Sequence, residues 1–306
     1  MASSTCPHCA AQPREFDAEE AYRALARRFD RVSSVLARQL GDDGDPRMRA
    51  QRAAQSRKVL TRITGGVEVP EGKYPDCALV GHRNRNGSVD WFCTGALIHP
   101  RVVLTAGHCM DPGGGIVPNI VALSCVDMTR LSHAELVSAK TCVRHPAYGS
   151  SIGNDISVIV LRKDAVTPAV KRATAHELGA AAETTLVGFG NSDFKSTRGF
   201  GRKREVSVDI HFLRRAAGDD LDDAEHELGF ESDLEYTAGG EGFDSCNGDS
   251  GGPSYIDVGS HYQLAGLTSR ALDTAQDPCG DGGIYTRVDV HARFISEVGA
   301  RHDIAL

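Results

Sequence analysis

From residue 63 to its end the chain is written in short runs of Val, Ile, Leu and Thr, cut every few residues by Gly, Pro, Asn or Asp. That punctuation limits the fold more than any other feature. Branched side chains suit a pleated, half-buried surface, and turn formers stop a strand before it grows long. Candidate strands fall at residues 78–80, 94–98, 102–105, 120–123 and 156–161, and again at 184–190, 204–212, 262–268 and 283–288. A closing helix is predicted over residues 290–298. The body of the chain therefore reads as all-β. At 306 residues with 41% hydrophobic content it can bury one large core or two of medium size.

Residues 1–62 follow another rule. Tyr22, Leu25, Phe29, Val32, Leu36 and Leu40 recur at helical spacing, while Arg23, Arg27, Arg28, Arg31 and Arg38 take the other faces. A helix over about residues 16–40 is predicted, stopped by Gly41-Asp42-Asp43-Gly44-Asp45-Pro46. Its apolar face serves either as packing for its own protein or as a docking surface for a partner. Residues 47–62 are polar and Arg-rich and read as a linker. Near the start, Cys6-Pro7-His8-Cys9 is open to three readings: a redox pair, half a zinc site, or two plain thiols.

This segment holds 12 Lys/Arg against 8 Asp/Glu, a net of +4, whereas the remainder holds 22 against 33, a net of −11. Nucleic acid is not an expected partner of so acidic a body. No run of 18 apolar residues marks a membrane span. No basic stretch followed by an apolar one marks a leader at the start. Nine cysteines favour an oxidising compartment, whereas the missing leader favours the cytoplasm, and localisation stays open between the two.

The chemistry concentrates in three stretches. Asp244-Ser245-Cys246-Asn247-Gly248-Asp249-Ser250-Gly251-Gly252-Pro253 carries a serine with glycines on either side, in a rigid turn that exposes Ser250 Oγ and lets backbone N–H groups converge. A serine hydroxyl is a weak nucleophile until a base takes its proton. Leu104-Thr105-Ala106-Gly107-His108-Cys109 offers that base, and Asp155, opening the apolar run 156–161, offers a carboxylate to orient it. In the order His, Asp, Ser, these stretches resemble the trypsin/chymotrypsin-like serine proteases, from about residue 63 to the C-terminus.

The resemblance implies two six-stranded antiparallel β-barrels, at about residues 63–165 and 166–290, with an active site between them. A C-terminal helix at about residues 290–300 follows, and the small helical segment precedes. The implied activity is that of a serine endopeptidase acting on protein or peptide substrates through an acyl-enzyme, with no metal and no cofactor. His108 is then the general base, Asp155 its orienting group and Ser250 the nucleophile, with the N–H groups of Gly248 and Ser250 as oxyanion donors.

Arg62-Ile63-Thr64-Gly65-Gly66 matches the family's activation junction. Residues 1–62 become a pro-segment, and cleavage after Arg62 frees an ammonium at Ile63 to pair with Asp249. Asp244, with Gly283 keeping the pocket open, implies cleavage after Arg or Lys. The family's bridges map to Cys93–Cys109 and Cys246–Cys279, leaving Cys77, Cys125 and Cys142 without an assigned partner.

Ser269-Arg270-Ala271 departs from the family's Ser-Trp-Gly, and Arg270 is placed to lean toward Asp244 and partly fill the pocket. Residues 219–235, with nine Asp/Glu and no Lys or Arg, read as a solvated acidic loop rather than a calcium site. His99, His145 and His211 lack a comparable setting and read as surface or structural. The alternative function is a non-catalytic binding or scaffold module on the same fold, recruited through the helix at residues 16–40.

Overall fold

Strand pairing in a computed structural model of the chain closes on itself twice. The structure describes residues 63–110, 117–150, 153–192, 199–216, 218–259 and 261–306. The expected helix at residues 16–40, the linker, Cys6, Cys9 and Arg62 lie outside the described residues.

The first ring contains β2 (Cys77–Arg83), β3 (Val89–His99), β4 (Val102–Thr105), β5 (Ile120–Leu123), β6 (Glu135–Arg144) and β7 (Ser157–Leu161). They form a closed antiparallel barrel in the order β2-β3-β4-β7-β6-β5. Every residue of β4 and β7 is buried, because both faces of each strand are covered. Val103, Ile159 and Leu161 pack with Val80, Leu97 and Val121 on one face. Val102, Leu104, Val158 and Val160 join Leu264, Leu267 and Val288 from the other half of the molecule on the second. A strand covered on both sides reads as an unbroken apolar run, which is why these two were legible.

The second sheet contains β1 (Val67–Glu68), β8 (Glu183–Gly188), β9 (Arg204–Asp209), β10 (Glu235–Ala238), β11 (Pro253–Asp257), β12 (Tyr262–Ala271) and β13 (Gly283–Arg287). Its order is β1-β9-β8-β11-β12-β13-β10. Ile210, immediately after β9, bridges Ala238 of β10, and His211 N donates to Thr237 O at 3.0 Å while Thr237 N donates to Phe212 O at 3.0 Å. Those bonds close six of the strands into a second barrel and leave β1 outside it, paired along β9. The expected two-barrel architecture is therefore present, with one strand more than expected.

Three short helices complete the described fold: α1 (Ala175–Ala180), α2 (Asp222–Leu228) and α3 (Ala292–Ala300). α3 begins two residues later than the predicted closing helix and buries Ile295 and Val298 in the same cluster as Val158 and Val160. α2 corrects the reading of residues 219–235 as loop. Asp222, Asp223 and Glu225 occupy its first turn, where acidic side chains complement the helix dipole. Gly229 ends it in a left-handed conformation at φ 74°. The last residue of that acidic stretch, Glu235, opens β10 and is fully buried. Strands β6, β10 and β11 were not anticipated.

The barrels are joined by a buried polar knot. Asp76, just before β2, is 1% exposed and accepts hydrogen bonds from Tyr255 and Tyr262 of the second barrel at 2.5 and 3.0 Å. Burial pushes the Asp76 carboxyl above its ordinary range, although both phenols oppose the shift. Lys203, itself buried, donates to the carbonyl of Tyr74 at 2.6 Å. Removing a donor from a buried carboxylate costs about 1–3 kcal/mol. Tyr255→Phe is accordingly expected to lower stability by about that amount, measured from the denaturant midpoint at constant slope; an unchanged midpoint would show that Asp76 does not depend on that hydroxyl.

Candidate active site

β4 delivers His108 to the crevice through Ala106 and Gly107, and His108 opens a short 3-10 turn ending at Met110. Asp155 lies two residues before β7, the strand paired with β4. That pairing brings the two side chains together. Asp155 Oδ1 accepts from the backbone N–H of His108 at 2.8 Å, and Oδ2 lies 2.8 Å from His108 Nδ1. Ser269 Oγ donates to the same Oδ2 at 2.7 Å. Burial alone would push the Asp155 carboxyl up; the bonds and charge of His108 and the Ser269 bond outweigh it and hold the group below its ordinary range. Asp155 therefore stays ionised beside the imidazole, which keeps one tautomer and one orientation.

Ser250 reaches the same crevice through backbone contacts. Thr94 N donates to Ser250 O at 2.9 Å. Cys109 Sγ sits 3.6 Å from that carbonyl, a packing contact, because the sulfur is bridged to Cys93 and has no proton to give. A ring nitrogen of His108 and both sulfurs of this bridge lie within 4.8 Å of one another. The disulfide ties the turn bearing His108 to β3, and Thr94 of that strand holds the Ser250 carbonyl. Among the described residues no hydrogen bond joins Ser250 Oγ to His108. Such bonds are often long in an unliganded site and tighten with substrate.

Gly248 adopts φ +97°, a region closed to most side chains. Thr94 Oγ1 fixes its carbonyl with a 2.9 Å bond. Among the described residues no hydrogen bond uses the N–H of Gly248 or of Ser250. Both donors are available to a developing oxyanion.

Two buried carboxylates flank the serine. Asp249 accepts from Gly190 N at 2.7 Å and Cys246 N at 2.9 Å. Burial pushes its pKa up to about 6, with the two amides and the charge of Arg204 opposing. Ile63 is buried, with its side chain in the cluster of Leu186, Val206, Tyr236 and Tyr285 and a positive φ of 37°. Its neighbour Thr64 bridges Asp244, whose N–H donates to Thr64 O at 3.2 Å.

Asp244 accepts from Ser245 N at 2.7 Å, Tyr285 OH at 3.0 Å and Gly282 N at 3.1 Å. Burial pushes its pKa up to about 7, and those bonds offset only part of the shift. A Cβ on Gly283 would sit 3.1 Å from Asp244 Oδ1 and 3.0 Å from the Tyr285 hydroxyl, so a side chain there would crowd the carboxylate. Tyr285, Ser245, Gly282 and Thr94 were missed by sequence reasoning. Only Tyr285 carried a signal, two residues beyond Gly283 on the same strand face.

Arg270 corrects the expectation that it leans toward Asp244. Its Nη1 donates to Glu235 Oε1 at 2.6 Å, and its Nη2 donates to Glu235 Oε2 at 2.9 Å and to Gly229 O at 2.7 Å. Glu235 is buried, and a buried acid draws in the guanidinium more strongly than the crevice does. Cys93–Cys109 and Cys246–Cys279 are bridged, while Cys77, Cys125 and Cys142 are free. His99 accepts from Arg101 N at 3.1 Å, His211 bonds Gly239 O at 2.8 Å, and His145 packs on His291 and Phe294.

The family model described as Trypsin matches residues 63–295, which cover both barrels and the start of α3. The chain belongs to the trypsin family of serine proteases. It is 32% identical over 254 residues to a mouse (Mus musculus) tryptase, an alignment spanning 78% of this chain and 89% of the tryptase. It is 28% identical over 246 residues to a trypsin-like protease of Streptomyces glaucescens, covering 78% and 83%. It is also 27% identical over 250 residues to the venom peptide isomerase heavy chain of Agelenopsis aperta, covering 77% and 99%. Family membership favours a hydrolase over the non-catalytic binding module.

A Cβ added at Gly190 would sit 2.6 Å from both the carboxyl carbon and the backbone nitrogen of Asp249. Overpacking of this kind costs about 1–3 kcal/mol. Gly190→Ala is expected to displace Asp249 and slow modification of Ser250 by a fluorophosphonate at least about tenfold, with circular dichroism retained; a parent-like rate would show that the loop tolerates the shift.

Proposed function

We propose that this chain is a serine endopeptidase made as a zymogen, activated by cleavage after Arg62, that hydrolyses bonds following Arg or Lys. The observation that carries the reading is the double bond of Asp155 to His108, at 2.8 Å to the backbone N–H and 2.8 Å to Nδ1, in a trypsin-family chain with Ser250 in the adjoining loop. With Nδ1 committed to Asp155, Nε2 is the nitrogen free to accept the Ser250 proton. Ser250 Oγ then attacks the scissile carbonyl, and the N–H groups of Gly248 and Ser250 receive the oxyanion. His108 returns the proton to the leaving amine. Water repeats the sequence on the acyl-enzyme and releases the acid.

Asp249 supports the activation step. A buried carboxylate with a pKa raised to about 6 and hydrogen bonds from two backbone amides is costly to ionise. An ammonium freed at Ile63 would favour its charged form and hold the Ser250 loop in place. In this reading residues 1–62 are a pro-segment. Ser250→Ala should abolish both fluorophosphonate labelling and peptide hydrolysis without loss of fold. Arg62→Gln should leave Ser250 unlabelled, while the active parent should show an N-terminal sequence of Ile63-Thr64-Gly65-Gly66. Equal labelling of the Arg62→Gln chain would refute the activation step, and turnover by Ser250→Ala would refute the nucleophile.

Asp244 supports the preference for basic residues, since a buried carboxylate at the pocket base selects a cationic side chain. The sign with pH follows from its raised value of about 7. Below that value the carboxyl is protonated, and a cation must displace the proton, so affinity should fall by about tenfold per pH unit; above it the carboxylate is ionised and affinity levels off. Titration with an arylamidine, which stays charged throughout, should trace this curve. Asp244→Ser should weaken binding by about 30-fold or more, the loss of a charge-assisted bond of ~2 kcal/mol. Affinity that is flat with pH and indifferent to the substitution would assign the pocket to other substrates.

A further inference from the structure

β12 and β13 are in register at Thr268↔Tyr285 and again at Arg270↔Ile284, with a shift between them, so Ser269 is the extra residue of a bulge. A bulge re-aims the side chains around it. Here it turns Ser269 Oγ onto Asp155 at 2.7 Å while Arg270 Nη1 comes within 3.2 Å of the same oxygen. Each link has one possible direction. A guanidinium has donors only, so it gives a proton to Ser269 Oγ. The hydroxyl must then give its own proton to Asp155, whose oxygen also receives His108 Nδ1 at 2.8 Å. A hydroxyl that accepts from a cation is a stronger donor in turn.

We propose that Arg270 is a positioning residue for the serine protease reaction: it fixes the Ser269 hydroxyl as a donor to Asp155 and places a cation behind that carboxylate, and Glu235 sets how much of the charge reaches His108. The inference rests on His108 acting as the general base. A cation at that place steadies ionised Asp155 and disfavours protonation of the imidazole. Glu235, clasping the guanidinium at 2.6 and 2.9 Å, acts in the opposite sense. The two substitutions must therefore act in opposite directions, which a purely structural role does not require.

Other charged or titratable groups face this chain from neighbouring elements. Tyr148 interacts with both Asp155 and Arg270 and carries Arg144 over its ring at 5.0 Å. Asp273 acts on Arg270, and Glu231 acts on Glu235. His291 lies 3.3 Å from Asn154, next to Asp155, and His145 packs against His291. All of them are unchanged in the variants below, so differences from the parent report Arg270 and Glu235.

The test is the rate of Ser250 modification by a fluorophosphonate as a function of pH, on the full chain cut after Arg62. The rate rises with pH as the base loses its proton. Arg270→Met is expected to move this acid limb up by about one pH unit, and Glu235→Gln to move it down. Arg270→Lys keeps a cation and should restore most of the parent limb. Arg270→Met with Glu235→Gln removes both charges of the buried pair together, so it tests the idea even where the single Arg270→Met chain fails to fold; its limb should also move up. Limbs that coincide across labelled variants, or Arg270→Met and Glu235→Gln limbs that move the same way, overturn the inference alone. A parent chain that fails to label overturns the reading of the site and this inference with it.

Discussion

Asp155 is where the two halves of the molecule become one site. It sits at the head of a first-barrel strand and takes two bonds from His108, which belongs to that barrel. The second barrel answers from its own side. Ser269 Oγ donates to the carboxylate at 2.7 Å, and Thr286 Oγ1 donates to the backbone carbonyl of Asp155 at 3.2 Å. A buried carboxylate is costly unless its lone pairs are met, so its position is fixed only where both barrels supply donors. The geometry of His108 thus depends on a strand bulge more than a hundred residues away in sequence, and on the cluster of Leu264, Leu267 and Val288 against Val158 and Val160 that holds the barrels in contact.

The other buried acids show what happens when the donors are fewer or neutral. Asp244 and Asp249 receive bonds only from amides and hydroxyls, and burial pushes them up to about 7 and about 6. Asp155, which takes the imidazole and the backbone N–H of His108 and the hydroxyl of Ser269, is held below its ordinary range although it is nearly as deep. The contrast lies in the partners, since all three are within a few percent of full burial. Asp155 has partners within the chain that outweigh its burial, whereas burial outweighs the partners of Asp244 and Asp249.

Much of the fold was legible because the informative strands are covered on both faces. Val102–Thr105 and Ser157–Leu161 are buried at every position and read as apolar runs. β6 was not legible, since Glu135–Arg144 buries only Val137 and Ala139 and its sequence mixes charged with apolar residues. β10 was hidden for a different reason. Glu235 closes an acidic stretch and looks solvated, yet it is fully buried because Arg270, 35 residues later, meets it. No local pattern encodes that pairing. His108 and Asp155 were legible from their flanking residues, while Tyr285 and Thr94 reach the site through strand register and offered little in the sequence alone. The N-terminal helical pattern belongs to residues that the structure does not describe.

Glu235 also explains why Arg270 does not turn toward Asp244. Asp244 and Glu235 are both buried acids of the second barrel, and Arg270 lies on β12, one strand removed from the Glu235 strand β10. To turn toward Asp244, the guanidinium would have to leave two carboxylate oxygens, the carbonyl of Gly229 and the hydroxyl of Ser269. It would gain one carboxylate that Ser245, Gly282 and Tyr285 already serve, and it would leave Glu235 a buried charge without its cation, held by the N–H of Glu231. Breaking a buried pair by removing one member typically costs about 3–5 kcal/mol. The internal acid therefore outcompetes the pocket acid for the internal cation. The same pairing that holds Arg270 away from Asp244 also holds it against Ser269, so the surroundings of Asp244 and of Asp155 both depend on one ion pair.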